Sequence, residues 1–343
     1  MSPRPALLAL CALSALAGPL SAASVSAASR DLTAWFIDVE GGQATLFLTP
    51  AGESVLIDTG WLGFNDRDAD RIAAAAKAAG IKQLDYLLIT HFHLDHVGGV
   101  PALAARLPIK NFVDHGDTVE HDANGQKLFD AYQKEVAKGK HIVVKPGDRL
   151  PIKGLEWTIV TAAGKTIEKP LAGAAKPNPA CTNFKKRAGD DNENGQSTGS
   201  FLRFGKFTAL DLGDLLWNKE EDLMCPVTKV PTVDVYIVSH HGMDMSGSTA
   251  LVAALHPKVA IMDNGARKGG TAEAWDTMHA VPGIQDIWQS HFAVAGGAAH
   301  NSPENVIANM QETPDAGFAL KLTAHKDGHF EVTNTRNGFT KKY

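Results

Sequence analysis

Short apolar stretches recur along the chain, alternating or continuous, each closed by Gly, Pro, Asp or Asn. They are LTAWFIDV (32–39), QATLFLT (43–49), SVLID (54–58), LDYLLIT (84–90), LEWTIVTA (155–162), SFLRF (200–204), FTALDL (207–212), VDVYIVS (233–239), KVAIMD (258–263), FALKLTAH (318–325) and HFEVTN (329–334). Runs of this length bounded by turn formers predict strands. Between them lie stretches with helical spacing: DRDADRIAAAAKAAG (66–80), VPALAARL (100–107), GQKLFDAYQKEVAKG (125–139), STALVAALH (248–256) and SPENVIANMQ (302–311). The first has acidic residues in its opening turn and Gly80 to stop it; the last offers Ser302 as cap and Pro303 at the first helical position. A meander of strands followed by strands alternating with helices predicts sheets with helices packed outside.

Two segments break the rhythm. Residues 1–27 hold Arg4, the apolar run ALLALCALSALAGPL and then small residues. The run falls short of the roughly 20 residues that cross a bilayer, so the segment reads as a signal peptide cleaved after Ala22 or Ala27, leaving no membrane anchor. A periplasmic or secreted protein is expected. Residues 164–197 are rich in Gly, Pro, Lys, Asp and Asn with little periodicity, and a stretch of this kind inside a compact domain is either functional or an exposed insertion. Residues 28–343 are expected to form one domain carrying that insertion. Cys181 and Cys225 outlast signal cleavage, and an oxidising compartment permits them to pair; two buried free thiols are the alternative.

The whole chain carries a formal charge of -5, and signal cleavage removes one further positive charge. A mildly acidic protein has no global attraction for polyanions, so strong nucleic-acid binding is not expected. A small-molecule substrate is.

The densest chemistry lies in HFHLDH (91–96). Alternate residues of a strand point the same way, so His91 and His93 can aim two imidazoles at one point as the strand ends. Asp95 and His96 follow in the turn. Imidazole nitrogens and carboxylate oxygens suit Zn²⁺, and a hydrolytic site uses about three protein ligands and an open position. Three histidines and an aspartate crowded beside Gly98–Gly99 have little structural use otherwise.

THFHLDHVGG (90–99) resembles the HxHxDH motif of the metallo-β-lactamase superfamily, and LIDTG (56–60), LDLGD (210–214) and VSHHG (238–242) fall in that family's order. The resemblance implies a four-layer αββα sandwich with one to two zinc ions at one edge of the two sheets. It implies His91 and His93 on the first metal, Asp95 and His96 on the second, and Asp214 bridging both. One histidine of SHHG completes the second site; His240, at the strand end, is preferred over His241, which is left facing substrate. Asp58 resembles the aspartate that orients metal-site groups by hydrogen bonding. Asp95 and Asp214 would also position the attacking water and accept its proton.

Two departures refine the resemblance. Where many members supply another first-site histidine, this chain has DDNENGQS (190–197). The competence-type branch, the hydrolase domain attached to DNA-uptake channels, similarly carries an asparagine there, so Asn192 or Asn194 would face the metals or the substrate. That branch's Gly-His-Pro is replaced by Lys268-Gly269-Gly270, with His291 or His300 as candidate substitutes. The competence-type likeness points to phosphoesters, for which Arg267, Lys268 and the 185–187 trio supply cations. Lactones, β-lactams and thioesters are the alternative substrates of the same fold. A metal-dependent binding protein without turnover is the alternative from another class.

Overall fold

The computed structural model describes residues 31–189, 191–312 and 316–343; the expected signal peptide lies outside them. Among the described residues the chain begins with β1 (Leu32–Phe36), β2 (Thr45–Leu48), β3 (Ser54–Ile57), β4 (Leu84–Leu88), β5 (Ile109–Asp114) and β6 (Lys140–Val143). A second sheet takes β7 (Arg149–Leu150), β8 (Glu156–Ala162), β9 (Lys165–Thr166), β10 (Gly199–Phe204), β11 (Phe207–Asp211), β12 (Val235–Ile237), β13 (Val259–Met262), β14 (Asp286–His291) and β15 (Ile307–Asn309). The chain then returns to the first sheet through β16 (Leu320–Ala324), β17 (Phe330–Asn334) and β18 (Thr340–Lys342), which add beside β1. Each sheet has nine strands.

Period-two alternation decides which side chains fill which layer. Leu32, Ala34 and Phe36 of β1 meet Ile159 of β8, Leu202 of β10 and Val259 and Ile261 of β13 in one core between the sheets. Ala260 and Met262 point the other way, onto α6 (Trp217–Met224), α7 (Thr249–Leu255) and α8 (Ala272–His279). On the first sheet, Leu84 and Leu87 of β4 lie against Ile72 and Ala76 of one helix and Tyr132 of another. Those helices are α1 (Arg67–Ala78) and α4 (Ala123–Val136); α2 (Leu94–Val97), α3 (Val100–Ala104) and α5 (Glu193–Gln196) complete the set. The layers are helix, sheet, sheet, helix, as expected.

Parallel pairing runs β3-β4-β5-β6 in one sheet and β11-β12-β13-β14-β15 in the other. In open parallel sheets, ligands gather outside the carboxyl ends of the strands. Asp58 follows β3, His91 to His96 follow β4, Asp214 follows β11 and His240–His241 follow β12. One edge of the sandwich therefore collects every residue of the motifs.

The expected helix at 302–311 is instead a 3-10 turn at Glu304–Val306 running into β15. Ser302 does not cap a helix: its hydroxyl donates to the Ile287 carbonyl and its N–H to Gln289 Oε1. Asn309 bridges strands by donating to the Ser290 and Phe318 carbonyls and accepting from Phe318 N–H. Tertiary hydrogen bonds override the local capping signal. The segment 164–197 is tied down rather than loose, with Cys181 joined to Cys225 by a disulfide. Its Asn178 donates to the Met224 and Ala250 carbonyls at 3.1 and 2.9 Å.

The turn after β3 stacks directly on the α2–α3 junction. Thr59 N–H donates to the His96 carbonyl at 2.7 Å and Gly99 N–H to the Gly60 carbonyl at 3.1 Å. A Cβ on Gly99 would run into the Thr59 carbonyl oxygen, which is backbone and cannot rotate away. Gly99→Ala should cost about 1–3 kcal/mol through overpacking. Chemical denaturation of both proteins would read it, and an unchanged midpoint would show that the turn shifts freely.

Candidate metal centre

Beyond β4 the chain stays extended and then turns into α2. His91 and His93, two apart, point the same way, and His91 Nε2 lies 3.0 Å from His93 Nδ1. Outer hydrogen bonds decide where their protons sit. Thr90 Oγ1 donates to Asp58 Oδ2 at 2.6 Å and so can accept from His91 Nδ1–H at 3.1 Å. His93 Nε2–H donates to Glu120 Oε1 at 2.9 Å. The two facing nitrogens are then both lone pairs, an arrangement that repels unless a cation lies between or beside them.

Across from this pair, Asp95 and His96 from α2 meet Asp214 and His241, all four buried, with one ligand atom from each lying within 4.8 Å of the others. Asp214 is the shared member. Its Oδ2 lies 3.2 Å from His96 Nε2, 3.4 Å from His240 Nε2 and 3.9 Å from His91 Nε2, and its Oδ1 lies 3.4 Å from His241 Nε2. Oδ1 is buried without a hydrogen-bond partner, as expected of an oxygen reserved for a cation. Asp214 does not cap α6, which starts from Leu216.

Of the two histidines of SHHG, His241 groups with Asp95, His96 and Asp214, while His240, the one preferred from the sequence, also approaches Asp214 at 3.4 Å. Both residues adopt positive φ, 54° and 55°, followed by Gly242 at 77°, so the chain coils left-handedly instead of continuing the strand. Place relative to the strand end therefore does not say which of the two imidazoles turns inward. The coil sends His240 Nδ1 towards Ser246 Oγ at 3.2 Å and His241 into the cluster, with Asp263 3.4 Å behind its Nδ1. Left-handed backbone costs roughly 1–2 kcal/mol per non-glycine residue, strain that tends to collect at functional sites.

Charge explains the arrangement. Burial alone raises a carboxyl pKa and lowers an imidazole pKa. At Asp214 burial is outweighed by His96, His241 and His240, and at Asp95 by His96, His241 and Lys268, so both stay well below the ordinary carboxylate range. Burial at His96 is overcome by Asp214, Asp95 and Asp58, which hold its pKa well above normal. Against burial, Asp214 pushes His241 up to about 10. His91 goes the other way, lowered well below normal by burial and by His96, and burial lowers His240 to about 4. Without a metal, protons on His96 and His241 balance the carboxylates; a divalent cation fits the same nitrogen and oxygen donors and would displace those protons.

Asp58 sits behind Thr90 and His96. It accepts from Thr90 N–H at 2.8 Å, from the Thr90 hydroxyl and from His96 Nδ1–H at 2.7 Å. Lys268 reaches the cluster by an ion pair with Asp95, its ammonium 4.9 Å above the Trp61 ring. Arg267 does not: it is exposed and paired with Glu312. Asn194 is buried with its Oδ1 unpartnered, and Asn192 caps α5. His291 is engaged with Asp38 and His300 with the Gly296 carbonyl; neither joins the cluster. Arg187 stacks on Trp217 and binds Asp244 and Glu273, while Lys186 faces Glu221 at 3.9 Å.

Two acids escaped sequence reasoning. Glu120 fixes His93. Glu193, in the segment where another histidine was sought, accepts from Phe92 N–H at 3.0 Å, Val119 N–H at 2.6 Å and the Thr118 hydroxyl at 2.8 Å, with His115 Nε2 at 3.2 Å. Glu193 therefore clamps the backbone between His91 and His93. Neither acid stands in a periodic pattern or a motif, so no sequence signal marks them.

Residues 38–167 match the model of the metallo-beta-lactamase superfamily. The chain is 28% identical over 188 residues to ComE operon protein 3 of Bacillus subtilis, covering 55% of this chain and 21% of that protein. It is 33% identical over 75 residues to ribonuclease Z of Bradyrhizobium diazoefficiens, covering 22% of this chain and 23% of that one. The matched stretch thus spans about a fifth of the length of these relatives. Among solved structures, the metallo-beta-lactamase fold protein YhfI from Bacillus subtilis aligns with a TM-score of 0.46 at 12% identity, covering 75% of this chain and 95% of that one.

His241→Ala should weaken divalent-metal retention more than His240→Ala does, the first by well over tenfold. Elemental analysis after dialysis against a weak chelator would read both, and equal losses would restore His240 to the cluster. Glu193 gives a pH test. Burial raises its pKa, but His115 and the backbone donors outweigh this and hold it down to about 2, against 4.5 normally. A depressed folded-state pKa contributes stability above the unfolded value that is lost as pH falls through the folded one. The stability gap between the unaltered protein and Glu193→Gln should therefore be constant above about pH 5 and shrink towards pH 2, as chemical denaturation across that range would show.

Proposed function

We propose that this chain, which matches the metallo-beta-lactamase superfamily model over residues 38–167, is a zinc-dependent hydrolase acting on phosphoesters. The observation that carries this reading is the buried Asp95–His96–Asp214–His241 cluster beside the converging His91–His93 pair. Mixed imidazole and carboxylate donors suit zinc, and one to two ions match the residues present. Bound zinc would supply hydroxide at neutral pH and neutralise charge on a phosphoryl oxygen.

The chain's own residues do the rest. Asp58 and Glu120 hold His96 and His93 in the orientation that presents a lone pair inward. Asp95 and Asp214 take hydrogen bonds from the attacking water and accept its proton. Asp95 would serve as a metal ligand, and Lys268, held at the mouth of the site over the Trp61 ring, would then be available to meet a substrate oxyanion. Support for phosphoesters comes from this cation and from the relative named ribonuclease, an enzyme of phosphodiester bonds. A phosphodiester bears its negative charge on the reacting phosphorus itself, where the reacting carbonyl of a lactone or lactam is neutral until attacked.

The proposed setting is extracytoplasmic. The Cys181–Cys225 disulfide supports it, because such bonds persist in oxidising compartments. No helix among the described residues is long and apolar enough to cross a membrane.

A panel of a phosphodiester, a cephalosporin and a lactone at equal concentration, run on the zinc-loaded protein, tests the reading. The phosphodiester should be cleaved fastest. Asp214→Ala and His96→Ala should each lower its turnover by at least a thousandfold while circular dichroism stays unchanged. Cleavage of the lactone or lactam alone would overturn the substrate assignment, and bound zinc with no turnover at all would favour a binding protein.

A further inference from the structure

Beside His93 lies a cavity of about 460 Å³ that the reaction as proposed leaves unused. Its walls are largely apolar, formed by Leu62, Phe92, Leu94, Leu128 and Ala131 with His93 itself. Leu62 is 52% exposed and Leu94 41% exposed, which leaves two leucines wetted at the mouth of a buried polar centre. An exposed apolar patch that adjoins such a centre marks a ligand surface more often than a neutral one. The volume falls in the range of small-ligand sites, about 300–1,000 Å³.

Charge fixes which end of a ligand enters. Glu120, Asp122 and Lys127 border the cavity. Glu120 is paired with His93, and Asp122 accepts Asn124 and Gly125 N–H groups at the start of α4. Two acids against one lysine leave this rim net acidic, which disfavours an anionic group there. The cation at the mouth, Lys268, sits on the other side, over Trp61, whose neighbour Leu62 is the cavity wall. A ligand with one anionic and one apolar end lies best with its charge at the metal cluster and Lys268 and its hydrocarbon among the apolar walls past His93.

We propose that this cavity is the subsite for the apolar organic group of the substrate, making the enzyme selective for phosphoesters of alkyl or aryl alcohols over those of small polar ones. This deepens the phosphoesterase reading and rests on it for the chemistry. His93 couples the two regions, since one edge of its ring faces His91 while the residue lines the subsite.

The test is calorimetric titration of zinc-loaded protein with methyl-, butyl- and hexylphosphonate, which bind without being hydrolysed. Burying a methylene contributes roughly three- to fourfold in affinity, so hexylphosphonate should bind at least tenfold tighter than methylphosphonate, with butylphosphonate between. Leu128→Asp puts a charge in the cavity and Ala131→Trp fills it; each should bring the hexyl-to-methyl ratio to about one. The chain-length series needs no variant, so poor folding of either leaves the proposal decided. A ratio near one in the unaltered protein, absent binding included, overturns it, as does a ratio that survives both substitutions. If the ratio is found and no phosphodiester is cleaved, the reaction assignment falls and the subsite stands.

Discussion

Three carboxylates, those of Asp58, Asp95 and Asp214, are buried within one small region. Uncompensated burial of a single charge is already prohibitive, so three such groups dictate what surrounds them. Protonated His96 and His241, with Lys268 against Asp95, answer the demand in the metal-free chain. A divalent cation answers it with fewer groups. The high pKa values of the two histidines and the low ones of Asp95 and Asp214 are the same fact seen from two sides, while burial leaves Asp58 raised; a bound metal would displace the histidine protons.

The sandwich exists, for this purpose, to bring that charge together from distant parts of the chain. Asp58 and His96 come from the first sheet, Asp214 and His241 from the second, and only the carboxyl ends of parallel strands in both sheets bring them to one edge. The central core between the sheets holds the two edges in register, while small local departures do the aiming. The left-handed coil at His240–His241–Gly242 and the glycines that let the Thr59–Gly60 turn stack on the α2–α3 junction are such departures. Each is costly or restrictive locally, and each is where the cluster gains its geometry.

How much of this could be read beforehand follows from where the information lies. Strands with unbroken apolar or alternating patterns, such as β1, β13 and β16, were plain, and so were His91, His93, Asp95, His96, Asp214 and Asp58, which stand in compact motifs. β14 was hidden because Gln289, Ser290 and His291 are buried polar residues paid for by tertiary hydrogen bonds. The helix expected at 302–311 failed for the related reason that Ser302 and Asn309 find partners far along the chain. Between His240 and His241 the sequence offers no ruler, because the chain coils left-handedly at both residues. Glu120 and Glu193 were invisible, since their roles depend on contacts 27 and 101 residues away in sequence.

Those two acids bear on how the halves of the centre differ. The half built on Asp95, His96 and His241 holds a carboxylate of its own, whereas the half built on His91 and His93 offers two imidazoles and shares Asp214. Where a further histidine was sought, Glu193 instead clamps the Phe92 backbone, so it sharpens the aim of the pair without adding a donor. Glu120 adds negative charge only through the His93 ring, which raises that imidazole's basicity as a ligand. A first cation would settle in the charged half, where its field is needed, and a second would then approach a neutral pair across a carboxylate already in use. In the proposed two-metal reading, the His91–His93 half would be the harder one to fill, and the acids that orient it compensate in geometry for what the donor set lacks in charge.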